Sequence, residues 1–298
     1  MHVHELIIYP IKSCAGIKVK EALMTKYGLA VPSNPRIFDR RWMIVKNGRH
    51  QTIRVLPRMT LIQPVVVENG LSLQAPNMPD LHISVNPLPK EVLECTCWDA
   101  PILGLRYGDN VSQWLRTFFE TEDELDLVVF DDEKFEGRAT KDADVPNIAR
   151  DGDVVAYHDM SPLHICSLQS LSDLNTRLEK KIEIYNFRPN VVATGLSKPF
   201  DEDYWREIEI GDVKLSWIAP CTRCLLPTVD PKTGIKDPNS EPYKTLRSYR
   251  LKKDPYGASS LFGIDLVSTD ESRHITGTMH VNDPIRILKD DPDFWEKN

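Results

Sequence analysis

No stretch of this 298-residue chain approaches the roughly 18 consecutive apolar residues that a membrane-crossing helix requires, so no bilayer span is expected. The N-terminus has no basic segment followed by an apolar one, which argues against a secretory signal. Positive charge is in deficit: 37 lysines and arginines face 44 aspartates and glutamates, and the net −7 argues against nucleic acid or anionic lipid as the partner. A local basic pocket stays compatible with this, because net charge averages the whole surface. The usual nucleotide loops are missing: no GxGxxG follows a strand and there is no GxxxxGK[ST]. The eight histidines include no HExxH or two-histidine-one-carboxylate spacing, and no GxSxG elbow occurs, which argues against zinc hydrolase and α/β-hydrolase frameworks. Fixed-period repeats and low-complexity segments are absent as well.

What is present describes a globular chain, 41% hydrophobic and 27% charged. Its length fits two domains or one large one, with a core that needs no disulfide or metal staple. Six cysteines occur: Cys14, Cys95, Cys97, Cys166, Cys221 and Cys224. In a long chain facing a reducing compartment, such thiols are expected to be buried, metal-binding or catalytic rather than paired. Cys221-Thr-Arg-Cys224 is a CxxC, and Cys95-Thr-Cys97 is a closer pair without zinc-ribbon spacing. A four-cysteine zinc site built from both pairs is one alternative. A thioredoxin-like redox pair would need the CxxC to open a helix. The following Leu225-Leu-Pro-Thr228 reads instead as extended chain.

Short apolar or alternating runs predict strands over 6–9, 42–45, 60–67, 71–74, 81–85 and 125–130, with Asn47-Gly48 as a hairpin turn. Val111, Trp114, Leu115 and Phe118 predict an amphipathic helix capped by Asp109 or Asn110. Residues 131–153 carry charge runs and few large apolar residues, so they read as a linker or mobile loop. Strands are expected again over 154–157, 163–166, 191–194, 261–267, 275–281 and 285–288, with a hairpin around Gly211-Asp212. Ser167 is placed to cap a helix bearing Leu168, Leu171, Leu174 and Leu178, and 241–251 reads as a short helix. Many short strands and few helices predict an α+β, mainly β chain with a barrel or sandwich.

Several segments combine a cation with a hydroxyl or a tight turn. Tyr9-Pro-Ile-Lys-Ser-Cys14 offers Lys12 and Ser13, and Asp39-Arg-Arg-Trp42 offers Arg40 and Arg41. Asp159-Met-Ser-Pro162 offers Ser161, and Asn186-Phe-Arg-Pro-Asn190 offers Arg188. Cations, hydroxyls and free backbone amides are what a phosphate or polar heterocycle requires. Singly, each reads as a surface charge or as an ion pair with Asp39 or Asp159. His158 and His164 read as packed or exposed rather than as ligands.

In this order, and with Thr228-Val-Asp-Pro-Lys-Thr-Gly234 and Leu261-Phe-Gly263, the motifs resemble the molybdenum cofactor sulfurase C-terminal (MOSC) proteins, most of all the amidoxime-reducing components. The resemblance runs from about residue 6 to 288. It implies an N-terminal MOSC-type β-rich domain, here 1–135, packed on a C-terminal MOSC β-barrel, here 150–292, with a molybdenum-molybdopterin cofactor between them. It further implies that Cys224 is the catalytic thiolate ligand of molybdenum, a soft donor suited to that metal, and leaves Cys221 as a packed residue. Lys12, Ser13, Arg40, Ser161 and Arg188 match positions that hold the cofactor, and Thr222 and Arg223 flank the ligand. Met160 stands where a threonine is typical and would act through its backbone. Asp265 stands where a tyrosine follows the Leu-Phe-Gly turn, and a carboxylate there would repel a phosphate.

The implied activity is reduction of small N-hydroxylated substrates such as amidoximes and hydroxylamines, and of nitrite. Electrons would come from cytochrome b5 and NADH-cytochrome b5 reductase, consistent with the missing flavin and NAD loops. Nucleic acid is not an expected partner, and a monomer is expected. The chain as given reads as soluble. It would sit on the mitochondrial outer membrane facing the cytosol if an anchor were removed from its N-terminus, and in the cytoplasm otherwise. The alternatives are a cofactor-binding or carrier domain related to the sulfurase C-terminal domain, and a zinc-binding interaction module.

Overall fold

A computed structural model of the chain describes residues 1–270 and 274–297. It is built mainly of strands. An eight-stranded curled sheet runs in the order Ile17–Val19, His2–Ile8, Val191–Thr194, Leu163–Ser167, Ser260–Ser268, Val213–Arg223, Trp205–Ile210, Ile285–Asp290. A closed barrel is formed by Glu91–Cys97, Ala100–Arg106, Leu125–Val129, Trp42–Lys46 and Arg49–His50. A four-stranded sheet (Ile275–His280, Glu21–Thr25, Gly28–Val31, Asn34–Phe38), a three-stranded one (Leu81–Ser84, Gly70–Gln74, Gln63–Val67) and a two-stranded one (Arg138–Ala139, Val154–Val155) accompany them. The expected fold class holds: a β-rich N-terminal barrel packs on a C-terminal curled sheet.

The halves are interleaved at their edges. His2–Ile8 pairs antiparallel with Val191–Thr194, and Glu21–Thr25 pairs with Ile275–His280. Strands Leu163–Ser167 and Val191–Thr194 are parallel, so a crossover must join them. The helix Leu168–Asn175 supplies it, and the Ser167 hydroxyl accepts from the Ser170 amide as the sequence predicts. Leu174 is fully buried and Leu178 nearly so, although the helix ends at Asn175. The Gly211-Asp212 hairpin forms, pairing Ile210 with Val213. Asn47 and Gly48 both take positive φ, 50° and 74°, as a tight hairpin turn requires.

Four local expectations change. The 60–67 run splits: Pro57 opens a short 3-10 helix, Pro57–Leu61, and the strand is only Gln63–Val67. Gly108, not Asp109 or Asn110, takes the cap position of the helix Asp109–Phe119, and Asp109 pairs with Arg106 at 2.7 Å. Leu226–Thr228 is a 3-10 turn carrying Pro227 rather than extended chain. Residues 131–153 are tied down: Arg138–Ala139 pairs with Val154–Val155, and Asp131, Thr140 and Asp153 are buried. Their charge runs concealed this, because the pairing partner lies only a few residues beyond the segment.

Candidate functional site

The loops that carry the sequence motifs meet. Lys12, Ser13, Arg40, Met160, Ser161, Arg188, Thr222, Arg223, Cys224 and Asp265 all line one cavity of about 480 Å³. A ligand pocket of this size suits a drug-sized or cofactor-sized molecule. The convergence follows from the sheet. Tyr9–Ser13 leaves the end of the first strand, Arg188 precedes the strand paired to it, and the CxxC ends the long strand Val213–Arg223.

Several of these residues are held in unusual backbone. Ser13, Arg40 and Arg188 have φ of 68°, 48° and 55°, the left-handed region that side-chain-bearing residues avoid at about 1 kcal/mol each. Such strain persists only where surrounding contacts over-determine it. For Arg40 and Arg188 those contacts are visible. Their guanidinium carbons sit 4.8 and 4.2 Å from the centroid of the Tyr9 ring. The Arg40 guanidinium also pairs with Asp39 and donates to Asn190 Oδ1 at 3.2 Å and to the Arg188 carbonyl at 3.3 Å.

Asp39 is fully buried. Its Oδ1 accepts from the Tyr9 amide at 2.7 Å and from Asn190 Nδ2 at 2.9 Å, and His158 Nε2 lies 3.1 Å from Oδ2. Burial alone would raise this carboxyl, but Arg40, His158 and the Tyr9 amide outweigh it and hold it below the ordinary range. Lys12 pairs with Asp159 and donates to the Tyr157 carbonyl at 2.9 Å. The ion pairs expected for Asp39 and Asp159 thus exist, but Asp39 lies behind the cavity wall, and Asp159, itself exposed, lines the cavity. The neighbouring Arg41 points away, to Asp132 at 2.7 Å and the Phe130 carbonyl at 3.0 Å.

Arg188 and Arg223 differ from these. Each is over nine-tenths buried, and neither has a carboxylate within ion-pair distance among the described residues. Arg188 Nη2 and Arg223 Nε are buried and unpartnered. Burial lowers the Arg188 guanidinium to about 10, so it remains charged at neutral pH. A buried, charged and unpaired group is costly, and an anion in the cavity would offset that cost.

The cysteines separate by exposure. Cys14, Cys95, Cys97 and Cys166 are buried, Cys221 is half-buried, and Cys224 is exposed to the cavity with its sulfur 3.4 Å from the Leu226 amide. Burial raises Cys221 well above its ordinary value. The four-cysteine zinc alternative fails. Cys95 and Cys97 sit in the N-terminal barrel, and the one grouping of possible ligands among the described residues is His164, Cys221 and Asp265. The guanidinium of Arg223 stands 2.8 Å from Cys221 Sγ inside that grouping, a cation where a metal cation would have to lie.

Sequence reading missed His158, His164, Asn190 and Arg138 as parts of the site. Asn190 ended a quoted motif and His158 adjoined one, so proximity was the signal. Nothing local marked His164 or Arg138.

Two family models divide the chain between them. The MOSC N-terminal beta barrel domain matches residues 1–122 and the MOSC domain matches residues 152–286. Fold and cavity therefore define a two-part MOSC protein. Its relatives include Mitochondrial amidoxime reducing component 2 of Rattus norvegicus, 39% identical over 97% of this chain and 83% of that one. The Bos taurus component 2 is 40% identical over 95% and 82%, and the Homo sapiens component 1 is 38% identical over 96% and 82%. The chain belongs to the mitochondrial amidoxime-reducing component family.

Proposed function

We propose that this protein is a molybdenum-cofactor-dependent reductase of N-hydroxylated compounds, taking amidoximes and hydroxylamines to amidines and amines. The observation that carries the reading is one cavity holding an exposed thiol, Cys224, and two buried arginines, Arg188 and Arg223, with no carboxylate of their own. That donor set fits an anionic cofactor bound through one soft thiolate. Cys224 is the ligand, with Lys12, Ser13, Arg40, Ser161, Arg188, Thr222 and Arg223 holding the cofactor and Met160 contributing backbone. Molybdopterin-bound molybdenum supplies the two-electron chemistry when present. The balance is R–NHOH + 2 H⁺ + 2 e⁻ → R–NH₂ + H₂O.

The chain's own residues bind, orient and neutralise. Arg188 and Arg223 would present N–H donors to anionic oxygens from side chains over nine-tenths buried, where such contacts are strong. Asp39 fixes Arg40, and Asp159 fixes Lys12, so both cations are held in place to meet an anion. Electrons come from cytochrome b5 and its NADH-dependent reductase, and the protein works on the mitochondrial outer membrane. No helix among the described residues is long and apolar enough to cross a membrane.

Cys224→Ala should abolish benzamidoxime reduction by molybdenum-loaded protein, driven by cytochrome b5 and its reductase. Because the side chain is exposed, its thermal midpoint should stay within about 2 °C of wild type. Full activity in the variant would remove the ligand assignment. A wild type that binds molybdenum but turns over no N-hydroxylated substrate would favour the carrier reading.

A further inference from the structure

Asp265 and His164 pair across adjacent strands of the large sheet. We propose that they form a positioning relay that holds the Arg223 guanidinium against the cavity wall beside Cys224. The proposal rests on the cofactor reading above. Asp265 Oδ1 accepts from Ser161 Oγ at 2.9 Å and lies 3.3 Å from His164 Nδ1, and the Ile264 carbonyl is 3.1 Å from the same nitrogen. Two acceptors at Nδ1 place the proton there and leave the lone pair on Nε2. Burial, aided by the charge of Arg223, outweighs Asp265 and keeps the ring neutral.

Nε2 then faces Arg223 Nη1 at 3.3 Å and accepts from it, with the Cys166 sulfur 3.2 Å from the same Nε2, and Nη1 also donates to Cys221 Sγ at 2.8 Å. Arg223 Nη2 donates to the Phe187 carbonyl at 3.0 Å. Two edges of the guanidinium are thereby fixed, and its buried Nε is left without a protein partner. The arrangement also accounts for a carboxylate at a position facing an anion. The charge of Asp265 is directed at His164 and Ser161, and it acts through them rather than on the ligand.

The test uses molybdenum-loaded protein and reads molybdenum per chain by elemental analysis before and after gel filtration, with thermal midpoints alongside. His164→Leu should release molybdenum about tenfold faster, the scale typical of lost outer-shell partners. His164→Gln, whose amide oxygen can replace the Nε2 acceptor, should release it near the wild-type rate. Asp265→Leu should resemble His164→Leu, and the double variant His164→Leu/Asp265→Leu should be no worse than either, since one path is lost only once. Equal release from His164→Gln and His164→Leu at equal thermal midpoints overturns the relay, as does wild-type retention in His164→Leu. Should His164→Leu not fold, Asp265→Leu against His164→Gln decides: the relay requires the former alone to release quickly. A loaded wild type with indistinguishable variants removes the relay alone, whereas a wild type that binds no molybdenum removes the cofactor reading and the relay together.

Discussion

Arg188 is buried to 8% exposure, carries charge at neutral pH and has no carboxylate within reach among the described residues. A residue kept in that state serves a ligand rather than the fold. Replacing a buried unpaired charge by an apolar side chain of similar volume is neutral or stabilising. Arg188→Met should therefore raise the stability of cofactor-free protein by about 1 kcal/mol, read by denaturant midpoint, while cutting molybdenum content at least tenfold. A cofactor-free variant less stable than wild type would mean that Arg188 holds the structure together through Tyr9. The two cysteines of the CxxC make the same point in reverse. Their sequence environment is nearly symmetric, yet Cys224 is exposed to the cavity and Cys221 is drawn against Arg223. Exposure, not spacing, sets Cys224 apart as the proposed ligand.

The bulge between the strands Val213–Arg223 and Ser260–Ser268 sets the height of the CxxC. Pro220 faces Ile264, but Thr222 faces Leu261, so Cys221 opposes both Phe262 and Gly263. Gly263 has φ 79°, and a Cβ there would meet the Ile165 carbonyl at 2.5 Å and the His164 ring at 2.7 Å. Only glycine fits, which is the physical content of the Leu-Phe-Gly motif. Its phenylalanine stacks on Phe187 at 3.8 Å, joining this strand to the loop that carries Arg188. Gly263→Ala should cost about 3 kcal/mol by thermal or denaturant melt, the upper end for forced overpacking. It should also lower molybdenum content, because His164 must move. A change within 0.5 kcal/mol would show that the bulge can relax.

At the scale of the molecule, the N-terminal strand His2–Ile8 joins the eight-stranded sheet, so the first and last parts of the chain share one sheet at the cavity. Beneath the sheet, Glu202 is fully buried and accepts from Ser167 at 3.0 Å and Ser170 at 2.7 Å, with Asp203 beside it and Arg250 paired to Asp203. Burial, with the charge of Asp203, raises it from 4.5 to about 7. A carboxyl raised on folding binds an extra proton in the folded state. Its stabilisation is full below about pH 4.5 and is lost as pH rises through about 7. His50, His158 and His164, held neutral by burial, favour the folded state as pH rises through the same window, so the contribution of Glu202 is read as a difference: the stability of wild type relative to Glu202→Gln should fall across it by about 3 kcal/mol. An unchanged slope in the variant would assign the effect to another group.

The family resemblance, not any local pattern, grouped ten residues into one site, whereas the sequence by itself determined the strand-rich class, the Ser167 cap and the Asn47-Gly48 and Gly211-Asp212 turns. Each of these is local: alternation, a short polar cap or a turn that needs positive φ leaves its mark within a few residues. It misread residues 57–61, the cap at Gly108 and the segment 131–153, where a proline, a glycine and pairing with the adjoining Val154–Val155 overrode composition. Only the tertiary structure decided that Asp39, Asn190 and His158 support the cations, and that His164 meets Asp265 some hundred residues away. It also supplied the physical reason for a separation the family resemblance had implied: Arg40 faces the cavity while Arg41 pairs with Asp132, and Cys224 is exposed while Cys221 lies against Arg223. Burial and register are properties of neighbours brought together by the sheet, and no single segment of the chain encodes them.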